Sequence, residues 1–158
     1  MFISDPETVL DQELGLRFAT RFLTVNANLY LMDFNNEIVL NGQFGPNGLA
    51  LNSKVDRSTR SGLEVTAFYR FLGAFYLKNN SSFSRNRIRE NGVEFQPILS
   101  PQLIVNQNVG WESRQRNLLL ELTLRYQSRS YIDFANEQAL PAYGLVKRDD
   151  AKYRFQRI

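Results

Sequence analysis

The chain has 158 residues, 43% hydrophobic and 13% aromatic, with 19 Lys and Arg against 16 Asp and Glu, and neither Cys nor His. That composition removes disulfides, thiolate nucleophiles, Ser–His catalysis and the usual zinc sites but leaves carboxylate chemistry and backbone sites open; no catalytic residue, metal or cofactor is singled out. The charge of +3 is spread along the chain rather than gathered into a face for nucleic acid, and no apolar run approaches the ~18 residues that a membrane helix needs.

The first six residues, Met1 to Pro6, lack the basic start and apolar core of a signal peptide. The chain is therefore expected either to stay unexported or to begin inside a longer protein. From Glu13 to Phe18, Leu14, Leu16 and Phe18 alternate with Glu13, Gly15 and Arg17, the period of a two-faced strand. After a break at 19–21, Leu23, Val25, Ala27, Leu29 and Leu31 oppose Thr24, Asn26 and Asn28, predicting a hairpin. Residues 33–60 turn rich in Asn, Gly and Ser and read as a long loop.

Alternation returns at 62–71, where Leu63, Val65, Ala67, Tyr69 and Phe71 share one parity. A turn at 72–74 precedes a weaker strand over 75–84, and the polar stretch 85–101, with two prolines, reads as a second long loop. A strand over 103–111 and a turn at 112–117 lead to Leu118–Tyr126, where Leu118, Leu120, Leu122, Leu124 and Tyr126 face one way and Glu121, Thr123 and Arg125 the other. A third loop spans 132–141.

Short and long connections thus alternate, placing all short turns at one end of an up-and-down antiparallel meander of about seven to eight long strands, the asymmetry of a transmembrane β-barrel. The charged residues Glu13, Arg17, Glu64, Arg70, Glu121 and Arg125 take the polar parity, which suits a lumen where opposite charges pair across strands. Tyr30, Phe34, Tyr69, Phe71, Tyr76, Trp111 and Tyr126 fall near strand ends, as a headgroup girdle would. Two other architectures share parts of this pattern. A soluble all-β binding or adhesion domain would pack the leucine face against a second sheet, and a small structural outer-membrane barrel would close on eight strands.

Four segments, residues 6–18, 59–65, 84–90 with 99–111, and 124–143, resemble in order and spacing the C-terminal half of a TonB-dependent outer-membrane receptor. The resemblance implies an all-β barrel of about 22 strands, of which this chain would supply roughly seven, without the signal peptide or the N-terminal plug with its contact box. It implies residues 1–158 as part of that barrel domain, an outer-membrane location among lipid, and a parent that takes up an iron–siderophore complex, cobalamin or another scarce nutrient. The energy would come from a TonB-type partner. On such a barrel the ligand is gripped by the long loops, where the candidates are Asn41, Gln43 and Phe44, then Arg87 and Arg89, then Tyr131 and Asn136. One departure stands out: Lys147, Arg148, Asp149 and Asp150 interrupt the strand after Tyr143 before Ala151, Tyr153 and Phe155, so a displaced or bulged strand is expected there, or a damaged reading frame.

Overall fold

The structure, a computed structural model, describes residues 5–114 and 118–152, with side-chain surroundings described up to Arg148. It is an antiparallel meander of β1 (Thr8–Ala19), β2 (Leu23–Phe44), β3 (Ala50–Phe71), β4 (Phe75–Glu90), β6 (Leu103–Glu112), β7 (Leu118–Gln127) and β10 (Tyr143–Lys152). The three-residue β5 (Val93–Phe95) adds to β4, and a small separate ribbon pairs β8 (Ser130–Tyr131) with β9 (Ala139–Leu140). Among the described residues there is no helix, and β1 and β10 are opposite edges of the sheet.

Because residues directly opposite in a ladder share a face, the register carries the period-two pattern across the whole sheet. One row runs Leu14, Leu29, Leu63, Phe83, Leu103; another runs Leu23, Tyr69, Leu77, Val109, Leu122. These side chains make one apolar face that no second layer covers among the described residues: Leu14 and Leu16 are 70% exposed and Leu122 is 39% exposed. A soluble sandwich would bury such a face.

The short-turn end follows the sequence reading, and at the other end the structure corrects it. Residues 33–60 are not a loop: β2 and β3 each run 22 residues, and only a tip over 45–49 separates them. Residues 85–101 likewise begin as the continuation of β4 to Glu90 and turn back at once as β5. These extensions have mixed polarity, which hides them from a search for alternation, yet they stay paired, with a register irregularity between Leu40 and Phe44. Between Asn35 and Glu37 the pattern of burial also changes hands: Asn36 takes a φ of 57°, and Glu37 and Val39 beyond it are buried although Asp33 and Asn35 before it lie on the outer parity. A left-handed residue of this kind breaks strict alternation.

The expected interruption in the last strand is absent. Tyr143 to Lys152 pairs with Gln127 to Leu118 in one unbroken register. Lys147 stands opposite Thr123 on the polar face, and Arg148 stands opposite Leu122 on the apolar face. Arg148 lines a shallow groove with Phe75, Trp111 and Leu120 at the short-turn end, where a long side chain can carry its charge to the rim of the apolar band. Tyr153 and Phe155 lie outside the described residues.

Aromatic placement is corrected too. Tyr69, Phe71 and Phe75 stack on the apolar face at the short-turn end, with centroids 5.5 and 5.6 Å apart, and Trp111 is opposite Phe75. Tyr30, Phe34 and Tyr76 lie on the other face. Tyr30 and Tyr76 each lie over a glycine of a neighbouring strand: a Cβ at Gly62 would meet Tyr30, and a Cβ at Gly110 would fall inside the Tyr76 ring. The two glycines leave room for rings to lie flat on the wall.

Candidate functional site

Three regions of the polar face and of the long-strand end carry the chemistry. Low on the wall, Glu121 gathers three neighbours: Tyr76 Oη donates to it at 2.6 Å, Asn108 Nδ2 donates at 2.8 Å and Lys78 Nζ pairs with it at 3.5 Å, while Asn108 also donates to Thr123 at 3.0 Å. Arg70 pairs instead with Glu112 at 3.3 Å, and Arg125 stands in the row Asn80, Asn106, Arg125. Toward β1, Arg17 and Glu64 line one groove of about 350 Å³ with Asn26, Asn28 and Thr66. Glu13 borders it and accepts from Asn28 at 3.1 Å. All six charged residues singled out from the sequence stand on this one face, divided between the β1–β3 groove and the β3–β7 network.

Higher up, the polar face acquires a core. Val39, Val55 and Ile88 are buried, and Phe95 of β5 and Phe134 pack on them with ring centroids 4.8 Å apart. Beside them Glu37 is buried and bonded to Ser58 and Arg60, and Arg60 lies over the Phe34 ring. The segment carrying Phe134 is held by Asn136, whose Oδ1 accepts from the Gln96 amide at 2.6 Å and whose Nδ2 donates to the Gln96 carbonyl at 3.0 Å. Asp133 accepts from the amides of Glu137 and Gln138 at 3.1 and 2.8 Å, closing the turn. So loop 128–142 and segment 96–101 fold back over the ends of β2 and β3 as one layer.

Between that layer and the β2–β3 tip lies a cleft of about 470 Å³, lined by Leu40, Gly42, Gln43, Phe44, Ile98, Leu99, Ile132, Asp133 and Gln138. Gly42, with a φ of 81°, is required here, because a Cβ would come within 2.7 Å of the Ile132 carbonyl. Of the loop candidates, Gln43 and Phe44 face the cleft. Asn41 braces the tip by donating to Ser53 at 3.0 Å. Tyr131 lies alongside, its carbonyl accepting from the Leu99 amide at 2.8 Å, and Asn136 is engaged with Gln96.

Arg87 and Arg89 are elsewhere, on the parity of the apolar face, where both reach Glu94 at 3.1 and 3.7 Å. The walls that the sequence did not point to are Ile98, Leu99 and Ile132. Ile98 and Leu99 had one signal in the sequence, an apolar pair between Pro97 and Pro101, and Ile132 had none; in the structure Leu99 takes a φ of 52°. Among the described residues no group of His, Cys, Asp and Glu is placed to hold a metal ion.

Comparison with known proteins agrees with this architecture. The ferric yersiniabactin uptake receptor FyuA from Yersinia pestis superposes with a TM-score of 0.70 at 18% identity, over 90% of this chain and 22% of its own. The copper transporter OprC does so with a TM-score of 0.77 at 13% identity, over 94% and 23%. The ferric-catecholate import receptor Fiu from E. coli K12 gives 0.68 at 15%, over 97% and 22%. At these identities the likeness is one of fold, and the chain spans less than a quarter of each structure. No curated protein sequence matches. The model of the family described as TonB dependent receptor-like, beta-barrel, matches residues 3–157, and a match over nearly the whole length places the chain in that family of outer-membrane transporters and receptors.

Proposed function

We propose that this chain forms part of the wall of a closed outer-membrane barrel that takes up a scarce nutrient, with its apolar face against lipid and its polar face toward the lumen. The observation that carries the reading is the uncovered apolar face across seven long antiparallel strands, with aromatics gathered at its short-turn rim and a hydrogen-bonded polar network opposite. Lipid is the solvent that favours such a face without a second layer. The two edges, β1 and β10, are then completed by further strands of the same barrel domain, to which residues 1–158 belong.

In this reading Glu13, Arg17, Glu64, Arg70, Glu121 and Arg125 line the lumen. Asn41, Gln43, Phe44 and Tyr131 stand by the cleft at its outer mouth, where a small nutrient would be received, and Asn136 keeps the covering layer in place. An iron–siderophore complex is the favoured cargo, since FyuA and Fiu carry ferric chelates, with cobalamin as the alternative. Energy coupling would come through a TonB-type partner acting on the whole receptor.

The test is partition. The purified chain is expected to gain strand circular dichroism only with detergent or lipid. Lacking the strands that would complete the barrel, it should give no stable heat-modifiable band on gels. A soluble, cooperatively melting monomer in buffer would mean that the apolar face belongs to a sandwich.

A further inference from the structure

Above the last apolar row of the outer face, the residues change abruptly. The row Leu14, Leu29, Leu63, Phe83, Leu103 is followed two residues up by Gln12, Leu31, Ser61, Arg85, then by Leu10, Asp33, Thr59, Arg87, and then by Thr8, Asn35, Arg57, Arg89. Arg85 therefore stands only about 7 Å along β4 from Phe83, and Arg89 about 20 Å, at ~3.4 Å per strand residue. Four arginines occupy these rows against two carboxylates. Arg57 is bound to Asp33, donating from Nε at 2.9 Å. Glu94 reaches from β5 to Arg87 at 3.1 Å and more loosely to Arg89 at 3.7 Å. Arg85 is exposed and enters no ion pair among the described residues. The strip keeps two positive charges in surplus, immediately over an apolar band.

Resting on the membrane reading above, we propose that this strip is a binding site for the phosphate groups of lipid headgroups in the surrounding leaflet. The guanidinium fork matches phosphate oxygens bidentately, and the ladder holds three forks at successive heights on one strand. A free ligand inside the barrel could not reach them, because they stand on the side of the wall opposite the buried Ile88. Continuity with the apolar band argues for a lipid: acyl chains would lie on Phe83, Leu63 and Leu31 while the headgroup meets Arg85 and Arg89. Arg57 and Arg87, already bound to carboxylates, would frame it.

The chain folded in dodecyl maltoside micelles is offered phosphatidic acid, phosphatidylcholine or inorganic phosphate, and retained ligand is read by native mass spectrometry. Phosphatidic acid should be retained over phosphatidylcholine. The variant R85S/R89S, which leaves the Arg57–Asp33 and Arg87–Glu94 pairs intact, should lose about twentyfold in apparent affinity, at roughly one charge–surface interaction per arginine. Should that variant lose its strand signal, R85S alone breaks no ion pair and should lose about fivefold, with R85K recovering most of it. Unchanged retention in a folded variant would overturn the inference while leaving the membrane reading in place. So would inorganic phosphate binding as well as phosphatidic acid. A chain that gains no strand signal in detergent would sink both.

Discussion

The lower and upper halves of this wall are built by different physics. Near the short turns each strand has one apolar and one polar face, and the apolar side chains stay exposed, so the ladder, the Tyr76–Glu121–Asn108 network and the tyrosine-over-glycine contacts hold the half together. Near the long ends the sheet continues with mixed polarity and regains an interior of the ordinary aqueous kind, in which Val39, Val55 and Ile88 are sealed by Phe95 and Phe134. The contrast shows that one continuous sheet can suit two solvents. Its lower half matches a medium that rewards an apolar exterior, and its upper half one that rewards an apolar interior.

If the halves are energetically separate, substitutions should act on one at a time. Ile88→Ala, at a site 1% exposed, should have the largest effect, about 3 kcal/mol in the upper core. Hydrogen exchange over 85–102 and 128–140 should accelerate while the fluorescence of Trp111, low on the wall, stays unchanged; a Trp111 shift would show that the halves are coupled. Gly110→Ala should cost about 2 kcal/mol by displacing the Tyr76 ring, and this time denaturant unfolding followed through Trp111 should move to lower midpoint.

Asn136→Ala removes both hydrogen bonds to Gln96 and should loosen the covering layer by about 1.5 kcal/mol. Faster proteolysis within 128–142, with an intact β-sheet spectrum, is the expected sign. Tyr76→Phe is the mildest, about 1 kcal/mol, since Glu121 keeps Asn108 and Lys78 as partners. An unaltered unfolding midpoint would mean that this bond adds nothing to the lower wall.

The same division explains what could be read from the chain. Residues such as Leu118, Leu120, Leu122 and Leu124 announce a strand, because lipid-like and water-like solvents on opposite sides force strict alternation. Above Leu31 that force is gone. Asn-rich stretches such as 33–44 then look like loop although they are strand, and the φ of 57° at Asn36 removes what parity remained. Position near a strand end also put Tyr30, Phe34 and Tyr76 in a girdle. Strand-end position alone does not say which face a ring takes; the cue was a glycine on the neighbouring strand, visible only once Tyr30 is known to face Gly62 and Tyr76 to face Gly110. For the site, Gln43 and Phe44 reach the cleft because they crown the longest hairpin. Asn136 and the arginines at 87 and 89 are placed by pairings with Gln96 and Glu94, contacts between turns and strands whose arrangement no local pattern encodes.

The central claim is that neighbouring residues of one strand meet different solvents. The chain has no cysteine, so single cysteines can be placed in turn at Leu120, Glu121, Leu122, Thr123, Leu124 and Arg125 without background. In phosphatidylcholine vesicles, a water-soluble maleimide should label positions 121, 123 and 125 and spare 120, 122 and 124, while a lipid-borne quencher should reach only the second set. Equal labelling along the strand, or protection on the parity of Glu121, would contradict the account.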